Sequence, residues 1–390
     1  MTADVLESVR TLLPDIRKRA ERTELDRKVS TQTMSALTAT GLFRMLQPRT
    51  HGGLESDPKT FFTAIRAVAA ACGSTGWVAS IIGATHCHVA LMEPQAAEDV
   101  WGKNPDARVT ASYGPVGRMT PESDGYRLSG EWNAAAGAEH ADWFLLGALL
   151  VGPAHDVVDY SVALVPRSDL TLTDDWNVVG LRGSGSKGVV VSGVVVPAHR
   201  VYASIGRTRV EERRSEPGTP ALYRIPLIAV YSTSISVPLV GTAEGAYDYH
   251  LDRMRDRAQF SHGGSKGNDD NFLHAALARG LTELDATVLQ VDRNLDELYD
   301  LATRNAAIPV ETRLRARRDQ VRSTERAVEA IDLLLKVSGG HGVRNSTVIQ
   351  RCWRDVHTGA AHLVNNVEQS LVPYGRWASG YGVDDALILS

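Results

Sequence analysis

The sequence predicts a mainly α-helical fold with a central β domain. Apolar residues at helical spacing open the chain, short β-favouring runs occupy its middle, and helical periodicity returns from about residue 226. We therefore divide the 390 residues into an N-terminal helical domain over 1–105, a small antiparallel β-barrel over 106–215 and a C-terminal four-helix bundle over 216–390.

Composition is typical of a soluble globular protein. Hydrophobic residues make up 43% of the chain, charged residues 23%, and the formal net charge is −4 without a polybasic tail. We therefore expect no nucleic-acid partner and, because no run of about eighteen apolar residues occurs, no membrane span. Three widely spaced cysteines, Cys72, Cys87 and Cys352, predict reduced thiols in a cytoplasmic protein. CxxC, HExxH and GxxxxGK[ST] motifs are absent, which leaves zinc-hydrolase and P-loop chemistry without support.

The N-terminal segment predicts three helices. Apolar residues between Val5 and Ile16 recur at helical spacing. Asp57 followed by Pro58 indicates an N-cap and a proline at the first helical position. The Ala-, Ile- and Val-rich stretch 61–91, interrupted by Gly73, predicts two buried helices.

The middle segment predicts strands without intervening helices, which favours an antiparallel barrel or sandwich. Its β-favouring runs are 109–113, 126–132, 143–151, 160–165 and 189–196.

The C-terminal segment predicts four long helices that form a bundle and are long enough to pack against other copies of the chain. These helices are expected over 227–257, 271–303, 311–337 and 348–371. Pro238 is expected to kink or delay the first of them. Residues 206–220 and 261–270 are polar and predict loops.

The glycine motif at 183–188, GSGSKG, matches GxGxxG but is followed by the strand-like run Val189-Val190-Val191. A dinucleotide-binding fold requires a helix there. Two other interpretations remain: a turn between strands, or a loop whose backbone N–H groups and the Ser184 and Ser186 hydroxyls face a cofactor. Without a nicotinamide site, a redox enzyme would have to receive its electrons with the substrate or with a cofactor that is already reduced.

Four further motifs carry a resemblance to a known family. They are HGGL at 51–54, CGSTGW at 72–77, WNVVGLRGSGS at 176–186 and QRCWRDVH at 350–357. Together with the three-part order, they resemble the oxygenase components of two-component flavin-dependent monooxygenases, which have the acyl-CoA dehydrogenase fold. The resemblance covers nearly the whole chain and is nearest to the branch of steroid-phenol hydroxylases and indole oxygenases.

The resemblance implies an activity. Reduced flavin, FADH2 or FMNH2, would come from a separate reductase and react with dioxygen to give a C4a-hydroperoxide. Its terminal oxygen would then pass to an aromatic substrate, such as an indole-type or fused ring or a phenol. Relatives bind flavin between the β domain and the helices and are usually homotetramers, so a tetramer or a dimer is expected.

Six residues match positions that bind flavin in the family: Trp77, Ser112, Arg182, Ser184, Ser186 and Arg257. An indole beside the flavin ring would exclude water, and an arginine fork suits a pyrophosphate or an anionic ring nitrogen. Three of these positions also have an ordinary interpretation: Trp77 in the core, Ser112 on a solvated strand and Arg257 on a helix surface.

His362 matches a histidine beside the substrate in phenol-hydroxylating relatives. A neutral imidazole there could take a proton from a phenol or a ring N–H as oxygen transfer develops. An ordinary buried histidine is the alternative. His86, His88 and Tyr113 are the other candidates for contact with substrate, and the motifs do not decide which histidine contributes.

The sequence departs from the branch at Ala135-Ala136, where the steroid-phenol relatives have two serines. A serine hydroxyl there is expected to bond flavin N5 or the hydroperoxide, so backbone groups, another side chain or a dry site must replace it. The less polar pocket favours a larger or more apolar substrate, such as an indole or a fused ring.

Three rival functions remain open. An acyl-CoA dehydrogenase needs a carboxylate base, and in one large branch its place falls at His362-Leu363, where no carboxylate stands. An amino-sugar N-oxygenase would use the same flavin chemistry. A helical assembly protein would have kept the fold and lost the flavin.

Overall fold

The computed structural model describes residues 2–152, 156–203, 216–260 and 271–383. The N-terminal part is helical, as predicted. Its helices are α1 (Thr2–Leu25), α2 (Thr31–Ala39), α3 (Pro58–Ala71), α4 (Gly73–Ala90) and α5 (Pro94–Trp101). The Asp57 carboxylate accepts a 2.8 Å hydrogen bond from the Lys59 amide, so it caps α3 as the Asp-Pro pair predicts.

Seven strands form one sheet in the order β5-β6-β2-β1-β3-β4-β7. They are β1 (Val109–Glu122), β2 (Gly125–Ala135), β3 (Trp143–Val151), β4 (Val157–Pro166), β5 (Thr171–Thr173), β6 (Lys187–Pro197) and β7 (Val201–Ala203). All five predicted strands are present. The expectation of a purely antiparallel barrel is wrong, because β1 and β3 are parallel and the sheet is mixed, with β5 and β7 at its edges.

The connection between β2 and β3 explains the parallel pair. β1 and β2 form an antiparallel hairpin in which Glu122 pairs with Gly125. The chain then crosses to the other side of β1 instead of adding β3 beside β2. Two strands that both run against β2 are parallel when they become neighbours. The alternation of apolar residues along the strands does not predict this crossover.

The C-terminal part contains three long helices followed by shorter ones. After the short α6 (Ala221–Arg224) come α7 (Leu227–Phe260), α8 (Asn271–Thr303) and α9 (Val310–Val337). The short α10 (Gly339–Gly342) precedes α11 (Val348–Ala360) and α12 (Val367–Ala378).

The predicted fourth long helix over 348–371 is wrong, since the helix ends at Ala360 and a new one begins at Val367. The Asn366 side chain accepts from the Gln369 amide at 3.2 Å, which starts α12 as an N-cap. The residues between the two helices form the turn that carries His362.

Helix α7 is the central helix of the bundle. It runs through Pro238 without a delayed start. Pro238 has no N–H to give to the Ser234 carbonyl one turn earlier, and the Ser80 hydroxyl of α4 donates to that carbonyl at 2.8 Å instead. The stretch Leu227–Arg255 is long and apolar enough to cross a membrane, yet 72% of its most apolar window is buried within the protein, as in the core helix of a soluble fold.

Cys72, Cys87 and Cys352 are free thiols, and all three are buried. Burial raises the pKa of each thiol, that of Cys352 to about 12. The predicted loop at 261–270 and most of that at 206–220 lie outside the described residues.

Candidate active site

The glycine motif leads into a strand and not into a helix. Leu181 (φ 50°) and Gly185 (φ 56°) have left-handed backbones and flank a short 3-10 turn, after which β6 begins at Lys187. The prediction of a turn between strands is confirmed, and the dinucleotide-fold interpretation is excluded. The Ser184 and Ser186 hydroxyls are buried and lie 2.8 Å apart, bonded to each other.

The loop over 181–186 is anchored to the bundle through Asp355. The Leu181 amide donates to the Asp355 carboxylate at 2.5 Å, and burial raises the pKa of this carboxyl to about 6. Arg354 does not pair with its neighbour; its guanidinium lies 2.6 Å from the Glu24 carboxylate and also donates to the Val179 carbonyl. The Arg-Asp dipeptide therefore ties one loop and one N-terminal helix to α11.

Trp77 lies where α4, the loop and α11 meet. It is 6% exposed and packs in a cluster with Ala136 and Leu181. A Cβ at Gly359 of α11 would lie 3.0 Å from Trp77 Cζ3 and 2.4 Å from Leu239 Cδ2. Glycine at 359 is thus what allows α11 to approach the indole this closely.

The alanines that replace the serine pair point to different environments. Ala135 lies in the core of the sheet domain, whereas Ala136 packs beside Trp77. The β2–β6 register shifts between Trp132 and Ala135, and Ala134 in this bulge has φ 61° and is exposed. A bulge removes backbone groups from the sheet's hydrogen-bond ladder, so polar main-chain atoms are available beside the methyl groups.

Ser112 and Arg182 lie near the same junction. The half-buried Ser112 hydroxyl donates to the Asn133 carbonyl at 2.9 Å, next to the bulge. Arg182 is exposed, directly after Leu181. The Arg257 side chain lies outside the described residues, so its predicted contact with flavin stays a prediction.

A row of aromatic and imidazole rings runs from Trp77 to the sheet. The ring-centroid distances are 6.1 Å for Trp77–His362, 6.4 Å for His362–Tyr231, 4.8 Å for Tyr231–Tyr113 and 5.5 Å for Tyr113–His88. We call these five residues the aromatic row. It draws on α4, β1, α7 and the turn after α11, so it forms only when the sheet and bundle pack together.

Polar groups lie at the sheet end of the aromatic row. His88 Nδ1 is 3.0 Å from Tyr113 Oη, and the Tyr160 hydroxyl donates to the Tyr113 carbonyl at 2.9 Å. The β1–β3 register is irregular between Ser112 and Gly117, which releases Tyr113 from the ladder. This end of the row offers a hydroxyl and an imidazole in an apolar surround.

His86 does not belong to the row, so the geometry lends no support to its predicted contact with substrate, which stays a prediction. Its ring is 1% exposed and packs 5.1 Å from the Trp101 ring; burial lowers its pKa to about 4. Residues two positions apart, such as His86 and His88, point about 200° apart around the helix axis. Trp77 and His88 are eleven positions apart, so their directions around the axis differ by only about 20°. Helical geometry therefore brings His88, and not His86, to the same face of α4 as Trp77.

His362 lies beyond the end of α11 and not within a helix. Its half-buried ring sits between Trp77 and Tyr231, and burial lowers its pKa to about 4. The Val364 amide donates to His362 Nδ1 at 3.2 Å. His357 points elsewhere, toward Asp332, whose carboxylate lies 2.8 Å from its Nε2.

Tyr231 is the member of the row that the sequence does not reveal. It lies in the long apolar run of α7, where a tyrosine is compatible with ordinary core packing. Only the packing of α7 against the turn and β1 shows that it bridges His362 and Tyr113.

Comparisons with known proteins show which family the chain belongs to. Residues 233–367 match the family described as "Acyl-CoA dehydrogenase, C-terminal domain". The flavin-dependent monooxygenase oxygenase subunit HsaA of Rhodococcus jostii (strain RHA1) is 41% identical, with 98% of this chain and 100% of that protein covered. The chain belongs to the family of flavin-dependent monooxygenase oxygenase subunits.

One further relative and one solved structure are similar to this oxygenase over most of their length. The FADH2-dependent resorcinol hydroxylase oxygenase component of Rhizobium sp. (strain MTP-10005) is 32% identical over 90% of this chain and 88% of its own. The crystal structure of 3-HSA hydroxylase from Rhodococcus sp. RHA1 superposes with a TM-score of 0.93 at 40% identity, covering 98% of each chain. The predicted family, the acyl-CoA dehydrogenase-type fold and flavin dependence are confirmed.

The junction around Trp77 fits the oxygenase family's flavin. A buried indole offers an apolar wall for a planar ring, the exposed bulge at Ala134 offers main-chain polar atoms, and exposed Arg182 offers a cation for phosphate.

One place where a dehydrogenase of this fold would carry its base has no carboxylate in this oxygenase. The place expected for one such base holds His362 and exposed Leu363. Glu244 of α7 is a partly buried carboxyl whose pKa is raised to about 7 by desolvation, yet it lies 3.5 Å from Arg66 of α3 and not in the aromatic row. Its position offers no base to a substrate beside Trp77.

Proposed function

We propose that this oxygenase hydroxylates an aromatic ring held along the aromatic row, with reduced FAD delivered by a separate reductase and dioxygen as co-substrate. The row itself is the observation that supports the proposal. Rings spaced 4.8–6.4 Å apart can pack on a flat substrate by edge or face, and Tyr113 and His88 supply polar contacts at one end.

Within this proposal Trp77, Ser112, Arg182 and the Ser184–Ser186 turn lie on the flavin side. When bound, reduced flavin would supply the electrons that activate dioxygen, and dioxygen would supply the oxygen atom that enters the ring. The chain's own part is to exclude water around Trp77 and to orient the substrate through His362, Tyr113 and His88. His362 is neutral at pH 7, so it can hydrogen-bond the ring substituent without adding a charge.

The choice of FAD over FMN is part of the proposal, supported by the FADH2 dependence named for the resorcinol hydroxylase. Homotetramer or dimer formation is also proposed, because Leu281 and Leu289 of α8 are exposed at 39% and 63%. Three unpaired thiols suit a reducing compartment such as the cytoplasm. Light scattering of the purified protein would report the assembly.

The decisive experiment mixes the full-length protein, reduced FAD, oxygen and a panel of phenols and indoles. We expect a hydroxylated ring in a stoichiometric single turnover, and weaker yield with reduced FMN. Hydrogen peroxide as the sole product across the panel would contradict the proposal. Bleaching of oxidised flavin by an acyl-CoA without oxygen would support a dehydrogenase instead.

A further inference from the structure

A buried polar network holds the turn that carries His362. The Asn365 side chain, 5% exposed, joins the end of α11 to α9. Its Nδ2 donates to the Gly359 carbonyl at 3.1 Å, and its Oδ1 accepts from Gln320 at 3.0 Å and from Thr324 at 3.2 Å. Every polar atom of this amide is thus used to fix the path of the turn.

Arg317 precedes Gln320 on α9 by about one helical turn. It also anchors the segment that carries His362. Its guanidinium donates to the Val364 carbonyl at 2.7 Å and to the Ser370 hydroxyl at 2.8 Å, and it also bonds Gln320. Burial lowers the pKa of Arg317 to about 10, so it remains charged at pH 7 and its hydrogen bonds are charge-assisted. The Val364 carbonyl is thereby fixed by Arg317, while the Val364 amide donates to His362 Nδ1.

We propose that Arg317, Gln320 and Asn365 are positioning residues that fix His362 as the tautomer with its proton on Nε2. Nδ1 accepts the Val364 N–H, and an accepting ring nitrogen carries no proton. A neutral imidazole has one N–H, which must then lie on Nε2. The tautomer does not depend on the proposed function. Its consequence for substrate recognition rests on that function.

The tautomer determines what His362 can do to a substrate. Nε2–H donates a hydrogen bond and cannot take up a proton at the same atom, so His362 recognises an acceptor and does not act there as a base. A phenolic oxygen presents such an acceptor, whereas an indole N–H would place two donors face to face. The substrate class that follows is a ring with a phenol or phenolate oxygen beside His362, and not an indole bound through its N–H.

The test compares two buried asparagines of the bundle. Asn365→Ala removes the network, whereas Asn294→Ala removes an amide that is also 5% exposed but bonds Asp319, far along the chain from the turn. Solid-state 15N spectra of protein labelled in histidine, recorded without flavin or substrate at pH 7, report the tautomer. His362→Gln identifies the His362 signals among the twelve histidines.

We expect a protonated Nε2 and an unprotonated Nδ1 in the wild type and in Asn294→Ala, and a mixture of tautomers in Asn365→Ala. Hydroxylated phenol per oxygen consumed should fall on the order of 10-fold in Asn365→Ala only, because the donor is misplaced. Gln320→Met serves in the same way if Asn365→Ala does not fold.

A wild-type signal from protonated Nδ1, or a tautomer unchanged in both network variants, would overturn the proposal. Failure of every phenol and indole to be hydroxylated would instead refute the proposed function and leave the tautomer result standing.

Discussion

The Leu181 amide donates a 2.5 Å hydrogen bond to the buried carboxylate of Asp355, which joins the loop over 181–186 to helix α11. Leu181 has a left-handed backbone at φ 50°, a conformation that is unfavourable for leucine and persists because its surroundings hold it. One carboxylate therefore sets the distance between the loop and the helix that leads to His362.

Asp355→Asn should make the protein more stable than the wild type at neutral pH. The folded pKa of about 6 exceeds the ordinary value of 3.8, so keeping the carboxylate ionised costs about 3 kcal/mol above pH 6. The stability that Asp355 contributes is present below pH 4 and is lost as pH rises through 6. The free-energy difference between variant and wild type, from urea unfolding, should grow between pH 4 and 6 and level off above it. A difference that does not change with pH would contradict this assignment.

Gly359→Ala should destabilise the protein and weaken flavin binding. The new methyl group meets Leu239 Cδ2 at 2.4 Å and Trp77 Cζ3 at 3.0 Å, so either α11 or the indole must move. We expect a loss of about 1–3 kcal/mol in unfolding free energy and a weaker Kd for reduced FAD. Gly375→Ala in α12, where nothing lies within 4 Å of the added Cβ, is the control and should be neutral or stabilising. Equal effects at both positions would show that contact with Trp77 is unimportant.

His362→Leu should lower coupled hydroxylation on the order of 100-fold, because the Nε2–H donor at the reacting ring is lost. Flavin affinity should change little, since the proposed function assigns Trp77 to the flavin and His362 to the substrate. His357→Gln, which removes a histidine bonded to Asp332 on the same segment, should retain wild-type coupling. Product and peroxide are measured together after one turnover. Loss of flavin binding with normal coupling in His362→Leu would instead assign His362 to the flavin.

The pH dependence of coupling should lack a transition near 6.5. Desolvation lowers the pKa of His362 to about 4, so the folded protein keeps this ring neutral until pH falls toward 4. The product-to-peroxide ratio should therefore be flat from pH 5.5 to 8 in single-turnover experiments. A loss of coupling with an apparent pKa near 6.5, abolished by His362→Gln, would show that the ring is more solvated than the packing indicates.

Tyr113→Phe should raise the KM for a phenolic substrate up to about tenfold, which is the effect of losing one hydrogen bond of roughly 1.4 kcal/mol. Its hydroxyl lies 3.0 Å from His88 Nδ1 at the sheet end of the row. Tyr223→Phe is the control, because that hydroxyl is also buried but donates to the Leu46 carbonyl in the N-terminal core. An unchanged KM in Tyr113→Phe would remove this end of the row from substrate recognition.

The local elements were predictable because their signals are local. Asp57-Pro58 starts α3, and GxGxxG followed by valines leads into β6, as the sequence indicates. Three features depend on long-range packing and were missed: the β1–β3 parallel pair, the break after Ala360 and the place of Tyr231. The break is instructive, since Asn366 caps α12 locally through the Gln369 amide, whereas Asn365 stabilises the turn through Gln320 on another helix.

The location of the three thiols suits a protein that handles activated oxygen. Hydrogen peroxide released by an uncoupled turnover attacks thiolates much faster than thiols. Cys72, Cys87 and Cys352 are all shielded and held in the protonated form. The enzyme should thus resist sulfenic acid formation at these cysteines during futile cycles.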